Sequence, residues 1–163
     1  MLALVLSVFL SFFQTSQTGT VVGLIKLPNG SKPTAAVRVM LLPPKYTEVW
    51  NKQVQQRLDN YWEIYKPELA VHKEHITDIY RMVHSEAFGY IASTMRRELG
   101  EAAASRFIKD AYPGGQFEFR GMPFATYQVL AQMTTNGESV VWSETIDVDT
   151  DVPVFVELGK PVT

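Results

Sequence analysis

The chain has 163 residues, of which 46% are hydrophobic and 12% aromatic, enough for one packed domain that carries a subdomain. Fifteen basic and 17 acidic residues give a formal charge of −2, which excludes the global positive field that attracts nucleic acid. The absence of cysteine excludes a disulfide framework and a lipid-modified cysteine. Acidic residues outnumber basic ones after Tyr112, so we expect an acidic face on the C-terminal part.

The chain begins with an uncharged apolar run, Met1–Phe13, which is shorter than the roughly 20 residues that a membrane-spanning helix needs. Small polar residues follow it, as in a signal peptide, although the usual basic residues in front are missing. We therefore expect residues 1–18 to be a signal peptide or N-terminal apolar segment, and the protein to be exported by a bacterium, secreted or periplasmic. An uncleaved membrane anchor, which would be its one link to a membrane, and a buried strand are the alternatives.

Two β-strands are predicted next, over Thr20–Leu27 and Ala35–Leu42. The first ends at an Asn29-Gly30 pair, which favours the positive φ of a tight turn. The second becomes wholly apolar and ends at Pro43-Pro44, because proline cannot donate to the strand ladder.

Residues 46–112 have the apolar spacing of helices and form a predicted insertion. The first helix begins near Tyr46 and is expected to break or kink at Lys66-Pro67-Glu68, where proline removes a hydrogen bond. A second helix is predicted from Pro67 to about Gly100, and a short third one over Glu101–Ala111.

Short alternating segments return after the insertion and are separated by turn residues such as Asn136-Gly137. Their spacing is typical of a β-sandwich. The predicted strands are Gln116–Arg120, Tyr127–Met133, Val140–Ile146 and Val152–Leu158.

The two β-rich parts resemble the carboxypeptidase regulatory-like domain, a prealbumin-like (transthyretin-like) β-sandwich. The segments that carry the resemblance are Gly23–Gly30, Pro33–Val39, Gly115–Pro123, Tyr127–Val129 and Val154–Leu158. The resemblance implies a seven-stranded antiparallel sandwich from residues 19–45 and 113–163. Together with the predicted helices, it gives an α+β protein with a two- to three-helix insertion between the second and third matching strands. It also implies a non-catalytic structural or binding module without a cofactor.

The chain departs from that family by its large insertion and by Phe124-Ala125-Thr126, where a glycine usually precedes the tyrosine. A function particular to this protein is therefore expected in the insertion, which holds six of the seven tyrosines and two of the three tryptophans. Aromatic residues with a polar tip are frequent at binding surfaces. The candidate protein-binding or self-association residues are Trp50, Tyr61, Trp62 and Tyr65, and core packing is the alternative.

Two other kinds of site are possible at the level of sequence. His72 and His75 are one helical turn apart and could bind a metal with Glu68 or Asp78, as in a small metal-dependent enzyme, although the spacing is not that of the H-E-x-x-H zinc motif. Solvated helix residues are the alternative. Exposed rings at Trp62 and Trp142 would instead suit a carbohydrate-binding accessory module.

No residues are spaced as in a nucleophilic catalytic site, since the chain has neither cysteine nor a G-x-S-x-G motif. We therefore expect a binding protein and not an enzyme.

Overall fold

The computed structural model describes residues 17–162, so the predicted signal peptide lies almost wholly outside the described residues. The strands are β1 (Thr18–Ile25), β2 (Val37–Leu42), β3 (Ile108–Asp110), β4 (Gln116–Pro123), β5 (Ala125–Thr135), β6 (Glu138–Val148) and β7 (Val154–Leu158). The helices are α1 (Pro44–Leu69), α2 (Ile76–Leu99) and the short α3 (Glu101–Ala104), with a 3₁₀ turn at Lys73–His75.

The strands form two sheets that share one core. The first sheet has the order β4-β1-β7 and the second β3-β2-β5-β6. Val21 and Phe119 of the first sheet pack in the same buried cluster as Val39 and Val129 of the second. The α+β class with seven strands is thus confirmed, but β1 and β7 pair in parallel, so the sandwich is not wholly antiparallel.

The second sheet is covered on both faces, which explains the wholly apolar end of β2. Val39 and Leu41 point into the sandwich core, whereas Met40 and Leu42 pack against the helices. Residues on opposite faces of a strand alternate, so a strand covered on both sides needs apolar residues throughout. The molecule therefore has three layers: sheet, sheet and helical hairpin.

The two long helices are antiparallel and are tied together where they leave the sandwich. At the start of α1, the Lys45 ammonium lies 2.7 Å from a carboxylate oxygen of Glu98, and the Tyr46 hydroxyl donates to the same oxygen at 3.1 Å. Trp50 is buried among the α2 residues Phe88 and Ile91 and fixes this end of the hairpin on the sheet.

The predicted break or kink at Lys66-Pro67-Glu68 lies close to the observed end of the first helix, since α1 runs through Pro67 and ends at Leu69. The missing N–H of Pro67 removes the hydrogen bond to the carbonyl of Glu63, four residues earlier, and the helix ends two residues after the proline. The chain then reverses, and α2 begins at Ile76 rather than at Pro67.

The predicted third helix over Glu101–Ala111 is also wrong beyond its first turn. Helix α3 ends at Ala104, and Ile108–Asp110 adds β3 to the open edge of β2. Ile108 is buried against the helical layer, and the edge of β2 supplies hydrogen-bond partners, so tertiary contacts override the helical pattern.

Candidate functional site

The outer half of the α1–α2 hairpin, which is the half farther from the sandwich, has a small core of its own. Leu69, Ile79 and Val83 are buried there, and Leu58 and Tyr65 pack around them. This cluster contains helix residues alone, so the two helices stabilise each other here without the sheet. The outer half consequently presents two sides to solvent.

One side carries a groove between the two helices, which we call the Trp62 groove. Its volume is about 240 Å³, and its lining residues are Gln55, Leu58, Asp59, Trp62, Leu69, Ile76, Ile79 and Tyr80. Trp62 is 48% exposed, so about half of the indole is free to contact another molecule. Four aliphatic side chains and two aromatic rings make the groove mainly apolar.

The polar residues of the Trp62 groove lie next to each other on α1. The Gln55 amide donates to Asp59 Oδ1 at 2.8 Å, one helical turn away. The groove thus combines an apolar floor with one carboxylate. Gln55, Trp62 and Leu69 are spaced by seven residues, which puts them on one helix face. This seven-residue spacing could have identified Gln55 as a groove residue from the sequence. No comparable pattern indicates that Tyr80 lines the groove.

The other side of the hairpin holds the two tyrosines that the sequence grouped with Trp62. The rings of Tyr61 and Tyr65 stack at 6.0 Å, and the Tyr61 hydroxyl donates to Glu86 Oε1 at 2.6 Å. The hydrogen bond to Glu86, together with burial, raises the pKa of Tyr61. The predicted single patch is therefore wrong: Tyr61 and Tyr65 bridge the helices, and Trp62 faces the opposite groove.

Two tryptophans proposed from the sequence are not available to a ligand. Trp50 is 3% exposed and its ring lies 5.9 Å from that of His84, so it is a core residue. Trp142 is fully buried in the sandwich core, which contradicts its proposed role as a sugar platform. Both lie on elements covered by a second layer, a feature that the sequence pattern does not reveal.

The two candidate metal ligands are neighbours, but each has another partner. The rings of His72 and His75 stack at 5.3 Å. Nδ1 of His72 lies 3.2 Å from Glu74, and Nδ1 of His75 lies 2.9 Å from Glu68, while Asp78 pairs with Arg81. Within residues 17–162, no three His, Cys, Asp or Glu side chains are grouped as they would be around a metal ion.

The chain shows little similarity to known proteins. No protein-family model and no curated protein matches the chain. A crystal structure from Pseudomonas aeruginosa, described as a "putative carbohydrate binding protein", is similar over 89% of this chain and 90% of its own, with 13% identity and a TM-score of 0.39. At these values the similarity carries no argument about function. None of the helices in the described part of the chain is long and apolar enough to span a membrane.

Proposed function

We propose that this protein is a non-catalytic binding module of the bacterial cell envelope, in which the Trp62 groove takes an apolar side chain of a protein partner. The half-exposed Trp62 above an aliphatic floor is the observation that carries the proposal. The sandwich serves as the rigid base, in the manner of the carboxypeptidase regulatory-like domains that it resembles. Export rests on the apolar run Met1–Phe13 and is tested by N-terminal sequencing of the protein from its native host.

The chemistry of the groove favours an apolar group over a sugar. Leu58, Ile76 and Ile79 offer no hydrogen bonds, whereas a sugar ring needs several donors and acceptors to replace its water. Of the polar groups at the rim, the Gln55 amide N–H and Asp59 Oδ1 are already bonded to each other. A leucine or phenylalanine side chain would be matched by the floor, and a nearby basic residue would be matched by Asp59.

The size of the groove also indicates how strong such binding is. Full burial of one apolar side chain contributes about 1.5–3 kcal/mol, less than the roughly 4 kcal/mol that corresponds to a millimolar Kd. A groove for one anchor therefore needs additional contacts along the hairpin to reach micromolar affinity.

A displayed peptide library selected on the protein and counter-selected on Trp62→Ala tests the proposal. We expect enriched peptides to share an apolar anchor and to bind wild type at least tenfold more tightly than the variant. The control variant is Trp62→Phe, which keeps an apolar ring in place. Failure to enrich any peptide, or equal binding to Trp62→Ala, would contradict the proposal, provided that the variant keeps its thermal midpoint.

Carbohydrate binding is the second candidate, because an indole that is half exposed beside a carboxylate is also a common sugar platform. A glycan array probed with wild type and Trp62→Ala distinguishes the two. Glycan binding that is lost in the variant, without peptide enrichment, would replace the first candidate by the second.

A further inference from the structure

A second concavity lies away from the hairpin, at the side of the sandwich where β3 and β4 are the outer strands. Its volume is about 350 Å³, and its lining residues are Arg106, Lys109, Tyr112, Glu118, Arg120 and Met122. Three of the six are basic and one, Glu118, is acidic. We call this feature the basic concavity.

The three basic groups are held in place by one short stretch of β4. The Arg106 guanidinium donates to the carbonyl of Gly121 at 3.2 Å, and the Lys109 ammonium donates to that of Glu118 at 3.1 Å. Arg120 Nε donates to Glu118 Oε1 at 2.8 Å. All three side chains thus converge on Glu118–Gly121, although they come from a turn and two strands.

The positive charge of the concavity is only partly neutralised. Glu118 is ionised, since the bonded Arg120 guanidinium holds the pKa of its carboxyl below the usual range, with nearby Lys109 adding to the effect. Within residues 17–162, neither Arg106 nor Lys109 has a carboxylate within 4 Å. The group therefore has a formal charge of +2.

Like charges that converge on a concave surface repel one another, and an anion bound among them removes that repulsion. A phosphate monoester carries about −1.5 to −2 at neutral pH and three acceptor oxygens. Arginine matches such oxygens with its forked donors. Tyr112, which is 63% exposed beside these groups, adds a ring face and a hydroxyl donor.

We propose that the basic concavity binds a phosphate group, with Arg106, Lys109 and Arg120 as the ligand-binding residues. Glu118 competes with the ligand for Arg120 and positions that guanidinium. The site is independent of the Trp62 groove, because the two have no lining residue in common. The phosphate belongs either to a soluble phosphorylated molecule or to a lipid headgroup.

Calorimetric titration with pyrophosphate tests the site. We expect Arg106→Gln and Lys109→Gln each to weaken binding about tenfold, as loss of a charge-assisted hydrogen bond does. Glu118→Gln should tighten binding several-fold, an effect that a merely structural role would not produce. Lys52→Gln, which removes an exposed charge on α1, is the matched control and should bind like wild type.

Three results would overturn the proposal: no heat of binding at 10 mM pyrophosphate, a loss in Lys52→Gln equal to that in Lys109→Gln, or weaker binding by Glu118→Gln. Sedimentation with vesicles separates the two sources of phosphate. Capture by phosphatidic acid vesicles, but not by phosphatidylcholine vesicles, assigns the site to a headgroup. Pyrophosphate binding without vesicle capture assigns it to a soluble ligand. Because Trp62→Ala should leave both assays unchanged, failure here does not affect the proposed function.

Discussion

Gly23 is the position where the packing of the sandwich can be tested most sharply. It lies in β1 directly opposite Phe117 of β4. A Cβ atom added to Gly23 would meet the Phe117 ring, three of whose carbons would lie at 2.5 Å or closer. Ordinary carbon contacts are about 3.5–4.0 Å, so the ring would have to move by about 1 Å or more. Phe117 is buried and lies edge to face with Phe119, which blocks this movement.

Gly23→Ala is therefore expected to destabilise the protein by about 3 kcal/mol, the upper part of the usual range for overpacking. For a chain of this length, that lowers the thermal midpoint by about 6–12 °C. Gly89→Ala is the matched control, because Gly89 is exposed within α2 and, apart from its chain neighbours and the backbone of its own helix, no atom of the described residues lies within 4 Å of the added Cβ. Alanine favours a helix, so this variant should gain about 0.5–1 kcal/mol.

Chemical denaturation followed by circular dichroism measures both variants. The same substitution should thus have opposite signs at the two positions. A Gly23→Ala variant as stable as wild type would refute the register of β1 on β4 and the packing of Phe117 over Gly23.

Three more predictions concern the helical layer and the tryptophans. Trp50→Ala should cost about 3–5 kcal/mol in denaturation, as truncation of a buried tryptophan does, and a loss below 1 kcal/mol would contradict its place in the core. Trp62→Phe removes an exposed tryptophan, so it should shift the remaining tryptophan emission to the blue and reduce acrylamide quenching. Trp142→Phe removes a buried tryptophan and should leave the quenching nearly unchanged. A larger loss of quenching in Trp142→Phe than in Trp62→Phe would contradict the exposure of Trp62 and the burial of Trp142. Burial lowers the pKa of His84, so the unfolded chain binds more protons, and stability should fall as the pH drops below about 6.5. His84→Gln should remove that part of the slope, and an unchanged slope would assign it to other groups.

Local sequence patterns were sufficient to predict most of the strands and both long helices. The alternation in β1 and β4 and the turn residues after them depend on neighbours in the sequence, so they can be read from the chain alone. The stripe from Trp50 to Tyr65 also predicted α1 correctly over most of its length. Patterns of this kind give an element and its apolar face.

Local sequence patterns do not show which other element covers the apolar face of a helix or strand. The wrong predictions arise from this missing information. Ile108–Asp110 is a strand because the edge of β2 lies beside it, and no local residue signals that edge. The parallel pairing of β1 with β7 likewise depends on the path of the whole chain. Pro67 indicated the end of α1 to within a few residues, but it did not mark the start of α2, which begins at Ile76 after the chain reverses.

The candidate site was predicted in part. Trp62 is exposed as expected for a binding residue, but neighbouring positions on a helix differ by about 100° in direction. Tyr61 and Trp62 therefore face opposite sides of the α1–α2 hairpin, and the partner helix decides which side has a groove. Tyr80 enters the Trp62 groove from α2, across a contact that only the folded hairpin creates.

Site-specific photo-crosslinking from the rim of the Trp62 groove tests most directly whether this groove is the binding site. A photoreactive residue replaces Asp59 in one protein and Asn60 in another, because Asn60 is exposed about 160° around the helix from Trp62. The bait is incubated with a peptide selected on the groove. We expect an adduct from position 59 that disappears with Trp62→Ala, and little or none from position 60. Equal adducts from both positions, or an adduct that survives Trp62→Ala, would show that the peptide does not bind in the Trp62 groove.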